Sequence, residues 1–600
     1  MAPPIVPISP VVSSTPRDEE IPRCPAAGEV NTSEPNFTLP PTEQRVAQTL
    51  TNSSTVKLLA GQCSLISIGG TQSVELEVPD QSAMSVPLVQ FELSDDHQQC
   101  VATNLQIFLD GIAFDQANQL LHPDSYGITS IYDANPYDAL ARLQNSGLSI
   151  RQQEAIAFFM YGKPLSLGQT QELFDGNLEL LAELQGFGII GSYHVNGQVI
   201  FRLNELGLTS RRLPNGEISY LFFDLPQALR SSGAPVPTAQ ISSTSFILQT
   251  YLEDQYRAGT RYRGVAADFG AGTGIFAITL LQLHPDLEKA IALEIDPQAM
   301  NLNRFNAMVN DVADRMVVVD NMDPNNFTQA LAGRKLNLAV SNPPFNAVPK
   351  SYAAEFTDFG DGGPRGLDVT EIFLDQALPV LEKDAPFILY SVLVEGREGK
   401  IYATAALQER STPWKGRGLQ VDYAPLGFER LTMGAHDYAN FLAYYLLEQR
   451  KWQTGQAEPI YLNPQDTPQF KVLQSEIQQA LKADGVVALR PYLWTIRATE
   501  LPLGLQVTHN DNMRMKKLEL AYSRHSQEPD TMGEGKKGGV YINIVRMPDL
   551  REGVYRELHR VSHESLLRQS LEEYCQNPEH ANDLLCKILP KWEILKINLN

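Results

Sequence analysis

The sequence predicts an α/β protein whose central region, residues 241–450, forms a parallel, doubly wound sheet. Past a linker at 231–240 that contains glycine and prolines, apolar runs of strand length alternate with segments of helical periodicity. This alternation is typical of parallel strands joined by helical crossovers. The first strand also runs into a glycine-rich turn at 270–274 and then into an apolar helix. This strand–turn–helix unit supports the same fold class.

Length and composition divide the rest of the chain. With 600 residues, the sequence is longer than one hydrophobic core usually serves. Prolines and small polar residues fill 1–45, which predicts a disordered tail. Short alternating apolar runs predict a small β-rich region at 46–134. Mixed helical and strand-like stretches predict an α+β C-terminal domain of unknown role at 451–600.

The region 135–235 is predicted to be a winged-helix-like cap domain. Helical periodicity at 150–161 and 170–184 precedes two apolar runs separated by an Asn-Gly pair at 196–197. That pair favours a type I′ hairpin, because both central residues need positive φ. A second Asn-Gly pair at 215–216 predicts another turn. Such a module can bind DNA or cover a substrate site, and its acidic surroundings favour the covering role.

Charge, hydropathy and cysteine spacing exclude several classes of protein. The net charge is −22, whereas proteins that grip long nucleic acids usually carry a basic surface, so nucleic acid is a disfavoured partner. No apolar run approaches the roughly 18 residues of a membrane span. The apolar run 441–447 has the length of a strand and is predicted to be the last strand of the central sheet. The N-terminus has no signal-peptide pattern, so we expect a cytoplasmic protein. The five cysteines are scattered and form no metal-binding pattern, so we expect reduced thiols and no metal site.

The strongest motif is the turn after the first central strand. Gly270, Gly272 and Gly274 let the backbone turn sharply and bring main-chain N–H groups at a helix start close to a ligand. This turn alone also fits a dinucleotide site. Asp268, at the end of the strand, argues against that alternative. Its charge would repel a pyrophosphate and suits a cationic ligand instead.

Two further strands end in carboxylates. Glu294 ends the second strand, where it can accept hydrogen bonds from both hydroxyls of a ribose. Asp320 ends the third strand, where it suits an adenine amino group. With these carboxylates in place, the pattern acidic-x-Gly-x-Gly-x-Gly over 268–274 resembles the class I S-adenosylmethionine-dependent methyltransferases.

That resemblance implies a Rossmann-like, seven-stranded methyltransferase sheet with S-adenosyl-L-methionine as cofactor. It places Asp268 near the methionine amino end of the cofactor and the three loop glycines beside it. Glu294 would hold the ribose. Asp320, Asn321 and Met322 would frame the adenine.

A second motif follows the fourth strand, where Asn342 precedes Pro343, Pro344 and Phe345. The prolines lack N–H donors and leave their carbonyl groups free to accept. Asn342 adds a side-chain carbonyl, and Phe345 adds a flat aromatic face. Together these four residues suit a planar –NH2 group. Holding its hydrogens would pull the nitrogen toward pyramidal geometry and expose its lone pair to a methyl group.

This tetrapeptide resembles the Asn-Pro-Pro-Tyr/Phe motif of nucleobase N-methyltransferases and of release-factor glutamine methyltransferases. The segment 359–368, which contains Gly-Gly-Pro-Arg-Gly-Leu, resembles the release-factor type. The implied activity is N-methylation, preferably of an amide in a protein, peptide or small metabolite. An exocyclic amine of an RNA or DNA base, adenine N6 or guanine N2, is the alternative. A binding or scaffold protein on a methyltransferase fold is the non-enzymatic alternative.

Overall fold

The computed structural model describes residues 88–121, 147–195, 198–225, 230, 237–356, 360–411, 418–425, 433–453, 468–499 and 505–509. It also describes three pairs of two-residue strands, 58–59 with 76–77, 66–67 with 73–74 and 541–542 with 595–596. The predicted disordered tail at 1–45 lies outside these residues. Among the helices of the described residues, none is long and apolar enough to cross a bilayer.

The first described helices lie in the region predicted to be β-rich. Helix α1 (Asp96–Gly111) begins after Asp95, whose side chain accepts hydrogen bonds from two backbone amides of the first turn. Helix α2 (Phe114–Leu121) follows directly. The β-rich prediction is therefore wrong for residues 96–121. Cys100 in α1 is disulfide-bonded, which contradicts the expectation of reduced cysteines, because sequence spacing does not show which thiols the fold brings together.

The apolar alternation just before α1 forms no strand. Phe91 is fully buried, as the alternation predicts. However, its N–H donates to Asn301 Oδ1 at 2.7 Å, and the carbonyl of Val89 accepts from Asn301 Nδ2 at 2.6 Å. The backbone partner of this segment is thus a side chain of a distant helix rather than a neighbouring strand.

The predicted cap domain consists of short helices followed by a hairpin. Its first helix begins as an α-helix and continues as a π-helix over Ile156–Met160. The single helix predicted at 170–184 is divided in two, because Asp175 and Gly176 adopt positive φ angles of 54° and 72°. The elements, in chain order, are α3 (Ile150–Ala155), the strand Leu165–Ser166, α4 (Leu167–Leu173), α5 (Leu178–Gly186), β1 (Ile190–Val195) and β2 (Gln198–Leu203).

Strands β1 and β2 pair antiparallel up to Val195 and Gln198, which confirms the predicted hairpin. A second hairpin joins β3 (Leu206–Arg212) to β4 (Ile218–Asp224) around Gly216, whose φ is 95°. The winged-helix-like interpretation of this region stays a prediction.

The central sheet is mixed and larger than predicted. Its strands are β5 (Gly264–Phe269), β6 (Leu287–Glu294), β7 (Met316–Asp320), β8 (Leu338–Ser341), β9 (Pro386–Glu395), β10 (Gly418–Pro425), β11 (Ala488–Thr499) and β12 (Leu505–His509). Their order is β7-β6-β5-β8-β9-β11-β10-β12, and Met433–Gly434 pairs with β11. Strands β5 to β9 are parallel, and β11 is antiparallel to both of its neighbours β9 and β10. Among the described residues, this sheet thus has nine strands instead of the seven predicted.

Helices cover both faces of this sheet, as the doubly wound prediction requires. They are α6 (Ser243–Arg257), α7 (Ile275–Leu283), α8 (Pro297–Val309), α9 (Pro324–Leu331), α10 (Asp368–Ala377) and α11 (Tyr402–Ser411). One face packs against α6, α7, α8 and the N-terminal helices in a single hydrophobic core. The other face packs against α9, α10 and α11. Alternation along the strands sends successive side chains into these two cores.

The sheet does not end where the sequence suggests. The segment 441–447, predicted to be its last strand, lies inside α12 (Ala435–Gln453). Its apolar residues, such as Leu442 and Leu446, recur at helical spacing and pack against α13 (Pro468–Ala483). The antiparallel strand between β9 and β10 is β11, which lies beyond the predicted domain boundary at residue 450.

Candidate active site

The glycine turn joins β5 to α7 through backbone angles that favour glycine. Gly270, Gly272 and Gly274 have φ angles of 68°, 51° and 82°. The N–H groups of Gly270 and Ala271 both donate to the carbonyl of Leu293 on β6 at 2.9 Å. A Cβ at Gly274 would collide with Asn303, whereas a Cβ at Gly272 would meet no atom within 4 Å. The turn is therefore packed on one side and open at Gly272.

Asp268 lies beneath this turn and not on its open side. It is fully buried, and its Oδ2 accepts from the Ala277 N–H in the first turn of α7 at 3.1 Å. Its Oδ1 is buried without a hydrogen-bond partner among the described residues. Burial raises the pKa of Asp268 to about 7, and the nearby charge of Glu294 adds to the rise. The structure thus shows Asp268 stabilising the start of α7. Its predicted contact with the methionine amino end stays a prediction.

Glu294 is oriented at the end of β6 by three backbone donors. Its Oε2 accepts from the Gly272 N–H at 2.8 Å. Its Oε1 accepts from the N–H groups of Ile295 at 2.8 Å and Asp296 at 3.1 Å. The half-buried carboxylate therefore lies directly beside the open part of the glycine turn. Asp296 itself caps α8, where its side chain accepts from the Ala299 N–H.

The end of β7 adds a second polar group next to Glu294. Asp320 pairs with Glu294 in the sheet register, is exposed, and accepts from the Met322 N–H at 2.8 Å. Asn321 is buried and exchanges two hydrogen bonds with Gln376, at 3.1 and 3.3 Å. Asn321 is thereby held by the protein itself, while the carboxylate of Asp320 stays accessible.

Two apolar side chains stand exposed beside these carboxylates. Ile295 is 53% exposed and Met322 is 71% exposed. They follow Glu294 and Asp320 on neighbouring parallel strands, so both lie at the carboxyl edge of the sheet. Ile295 is not among the residues predicted from the sequence, although it is apolar and directly follows a carboxylate at the end of a strand. An open glycine turn, the carboxylate of Glu294 beside it and exposed apolar side chains fit the adenosine part of a cofactor.

Asn342 lies at the same edge, one residue beyond β8. The preceding residue, Ser341, pairs with Phe269 of β5, and its hydroxyl donates to the Phe269 carbonyl at 2.8 Å. This places Asn342 next to the start of the glycine turn. Its Nδ2 donates to Thr244 Oγ1 at 3.0 Å and to Ser245 Oγ at 3.3 Å. Its Oδ1 is buried and has no hydrogen-bond partner in the described part of the chain.

Phe345 completes this loop and is held from behind by the second glycine-rich segment. Its ring is half-buried and lies 5.3 Å from that of Tyr390, at an angle of 58°. Gly362 and Gly366 approach its backbone so closely that a Cβ on Gly362 would lie 2.8 Å from Phe345 Cα, and one on Gly366 would collide with the Phe345 carbonyl oxygen. Backbone hydrogen bonds between Asn346 and residues 360 and 362 close the contact. The structure thus brings together the two segments that carry the sequence resemblance.

Comparison with known proteins agrees with this geometry. Residues 239–359 match the family model of the methyltransferase small domain. Over these residues the chain is similar to that domain family. This region contains α6, the glycine turn, the carboxylates of β6 and β7 and the loop at 342–345. S-Adenosylmethionine is the cofactor that goes with this domain, and the residues at the sheet edge fit it.

The chain is similar to three curated methyltransferases over parts of their length. It is 37% identical over 79 residues to the tRNA1(Val) (adenine(37)-N6)-methyltransferase of Porphyromonas gingivalis, which covers 13% of this chain and 31% of that protein. It is 28% identical over 126 residues to the release factor glutamine methyltransferase of Aquifex aeolicus, 20% of this chain and 43% of that one. It is 34% identical over 138 residues to the ribosomal protein L11 methyltransferase of Klebsiella pneumoniae, 22% and 41%. The chain therefore spans less than half the length of these relatives.

Among the described residues, no group of three or more His, Cys, Asp or Glu side chains could hold a metal ion.

Proposed function

We propose that this protein is an S-adenosylmethionine-dependent N-methyltransferase that acts on a planar –NH2 group. The observation that carries the proposal is the side-chain carbonyl of Asn342. Its oxygen is buried and free of hydrogen-bond partners among the described residues, although its nitrogen makes two hydrogen bonds. A buried polar atom without a partner costs free energy. A substrate donor that reaches this oxygen would remove the cost.

The residues around Asn342 can orient such a donor for methyl transfer. Asn342 Oδ1 and the carbonyl groups of Pro343 and Pro344 accept the amine hydrogens, and the ring of Phe345 supports the plane of the acceptor. S-Adenosylmethionine, when bound, supplies a methyl group on a positively charged sulfur. The nitrogen lone pair forms the new N–C bond, the C–S bond breaks with its electrons left on sulfur, and the proton leaves the nitrogen to solvent. Because the proton leaves to solvent, none of these side chains has to act as a general base.

The preferred acceptor is an amide of a protein, peptide or small metabolite. The net charge of −22 disfavours a long nucleic acid. The contact between residues 360–366 and Phe345 supports the release-factor type of acceptor loop. The relatives named above include proteins described as acting on a glutamine and on a ribosomal protein. One relative is described as acting on adenine N6 of a tRNA, which keeps an RNA base amine as the second candidate.

We assign the predicted cap, of which the structure describes 147–195 and 198–225, a covering or bracing role beside the methyltransferase domain. Asn306 and Asn310 of α8 bind the backbone of Phe222 and Tyr220 on β4. These hydrogen bonds attach the predicted cap to α8, the helix that packs behind the glycine turn. A DNA-binding role is the alternative, and a cytoplasmic location stays a prediction.

The decisive experiment is Asn342→Ala with an identified acceptor. Transfer of labelled methyl groups to protein, RNA and small-molecule fractions of the source cell would identify the acceptor class. The substitution should lower kcat and kcat/KM together by ~10²–10³-fold, the scale for loss of one preorganised hydrogen-bonding group. Affinity for S-adenosylhomocysteine, measured by calorimetry, should stay near wild type. Unchanged turnover would show that the methylated atom is not a planar nitrogen held by Asn342.

A further inference from the structure

The amide of Asn342 has two ends of opposite character, and the proposed chemistry needs the carbonyl end to face the acceptor. Rotation by 180° about the terminal torsion exchanges Oδ1 and Nδ2 with almost no change in shape. The structure has Nδ2 on Thr244 and Ser245, at 3.0 and 3.3 Å, and leaves Oδ1 free. The end of the amide that faces the substrate therefore depends on whether the two hydroxyl groups offer it hydrogens or lone pairs.

Hydroxyl groups can donate or accept, and Ser242 restricts that choice. Its Oγ lies 2.6 Å from Thr244 Oγ1 and 3.3 Å from Ser245 Oγ. Ser242 Oγ has one proton and can donate to only one of these two neighbours. For both contacts to be hydrogen bonds, the other neighbour has to donate its own proton to Ser242. At least one of the two hydroxyls therefore presents only lone pairs to Asn342, which bind an –NH2 end and repel a carbonyl end.

The first turn of α6 holds these hydroxyls firmly. Ser242 caps the helix with a capping box, in which its Oγ and the side chain of Ser245 each accept from the other residue's backbone N–H. Ser245 is 6% exposed, so solvent has little access to its hydroxyl. Further along α6, Gln249 donates to Thr279 of α7 at 2.9 Å, and Glu253 forms a buried ion pair with Arg211 of β3. The hydroxyls thus belong to a helix that is braced by both the sheet domain and the cap.

We propose that Thr244 and Ser245 are positioning residues that hold the Asn342 amide with its carbonyl toward the acceptor. This inference rests on the proposed function. In this orientation the site accepts hydrogen bonds from its substrate and disfavours a group that can only accept. The first turn of α6 therefore contributes to selecting an –NH2 acceptor although neither hydroxyl needs to touch it.

Sinefungin gives a test that needs no identified acceptor. In this analogue of the cofactor, an amine-bearing carbon replaces the sulfur and its transferable methyl group, so its ammonium can donate to Asn342 Oδ1. In the Thr244→Val/Ser245→Ala double variant, the preference for sinefungin over S-adenosylhomocysteine should fall about tenfold, since one charge-assisted hydrogen bond is lost or misdirected. Affinity for S-adenosylhomocysteine should stay within about twofold. Thr244→Ser keeps the hydroxyl and should keep the preference.

Turnover with the methyl-accepting fraction and labelled S-adenosylmethionine separates this inference from the proposed function. The double variant should lower kcat about ten- to a hundredfold. In an Asn342→Ala background the same two substitutions should have no further effect, because they act through that amide. An effect of Asn342→Ala without any effect of the double variant would overturn the positioning role alone. No effect of Asn342→Ala would overturn the proposed function itself.

Discussion

Asn306 on α8 connects the cap to the glycine turn. Its removal should therefore lower both the stability of the protein and its affinity for the cofactor. The side chain is fully buried. Its Oδ1 accepts from the Phe222 N–H of β4 at 2.8 Å, and its Nδ2 donates to the carbonyls of Phe222 and Thr273, both at 2.9 Å. Asn306→Ala therefore leaves three buried backbone groups without this partner. Thr273 belongs to the turn that we expect to contact the cofactor.

The magnitude follows from the three hydrogen bonds. Each contributes a net free energy of roughly 1 kcal/mol, so the free energy of unfolding should fall by about 3 kcal/mol. Loss of the Thr273 contact should loosen the glycine turn. Binding of S-adenosylhomocysteine should then weaken by about 1 kcal/mol, which corresponds to a roughly fivefold increase in Kd.

Asn310→Ala is the matched control. Asn310 binds the N–H and carbonyl of Tyr220 at 2.8 and 2.6 Å and the carbonyl of Asn306 at 2.7 Å, with none of its hydrogen bonds to the glycine turn. It should lower the free energy of unfolding by a similar amount and leave Kd unchanged. Urea unfolding and calorimetry measure the two quantities. Equal losses of cofactor affinity in both variants, or an unchanged urea midpoint for Asn306→Ala, would refute the reasoning.

Three further changes test the site. Glu294→Ala should weaken S-adenosylhomocysteine binding by ~1–3 kcal/mol in calorimetry, because the carboxylate that orders Gly272 and would hold the ribose is lost. Burial raises the pKa of Asp268 to about 7. The folded state therefore binds a proton at this carboxyl more tightly than the unfolded state does. The free energy of unfolding should consequently fall as pH rises from about 4 to about 7. Asp268→Asn should remove that fall, on the order of 4 kcal/mol, from urea unfolding curves measured across this range. Gly362→Ala should lower kcat by displacing Phe345 while cofactor binding persists; steady-state kinetics with the identified acceptor and calorimetry measure the two quantities.

Each of these tests has a clear contrary result. Wild-type affinity in Glu294→Ala would remove this residue from the cofactor site. Parallel stability curves for wild type and Asp268→Asn would show that the buried carboxyl does not titrate in this window. For Gly362, the control is Gly168→Ala, where a Cβ meets nothing within 4 Å. Equal turnover of the two alanine variants would contradict the packing argument.

Local chemistry was enough to predict the edge of the sheet that carries the candidate site. The strand–turn–helix at 264–283, the carboxylates of Glu294 and Asp320 and the loop at 342–345 all lie where the sequence placed them, at the ends of parallel strands. Backbone preference explains this success. Glycine at positive φ, proline without an N–H group and apolar runs of strand length act within a few residues, whatever the rest of the chain does.

The apolar run 441–447 was assigned wrongly because its length and composition suit a strand and a buried helix equally. Packing against α13 decided for the helix. The predicted boundary at residue 450 failed for a related reason. A sheet gains strands by hydrogen bonding across space, and β11 pairs with β9 over almost a hundred intervening residues.

Hydrogen-bond partners that lie far apart in the sequence could not be predicted at all. Thr244 and Ser245 lie 98 and 97 positions before Asn342, and Asn301 binds the backbone of Phe91 from 210 positions away. Sequence shows which side chains can donate or accept, since that is a property of each residue. Which donor meets which acceptor depends on how the helices pack onto the sheet, so only the tertiary structure decided which atom of Asn342 is left free.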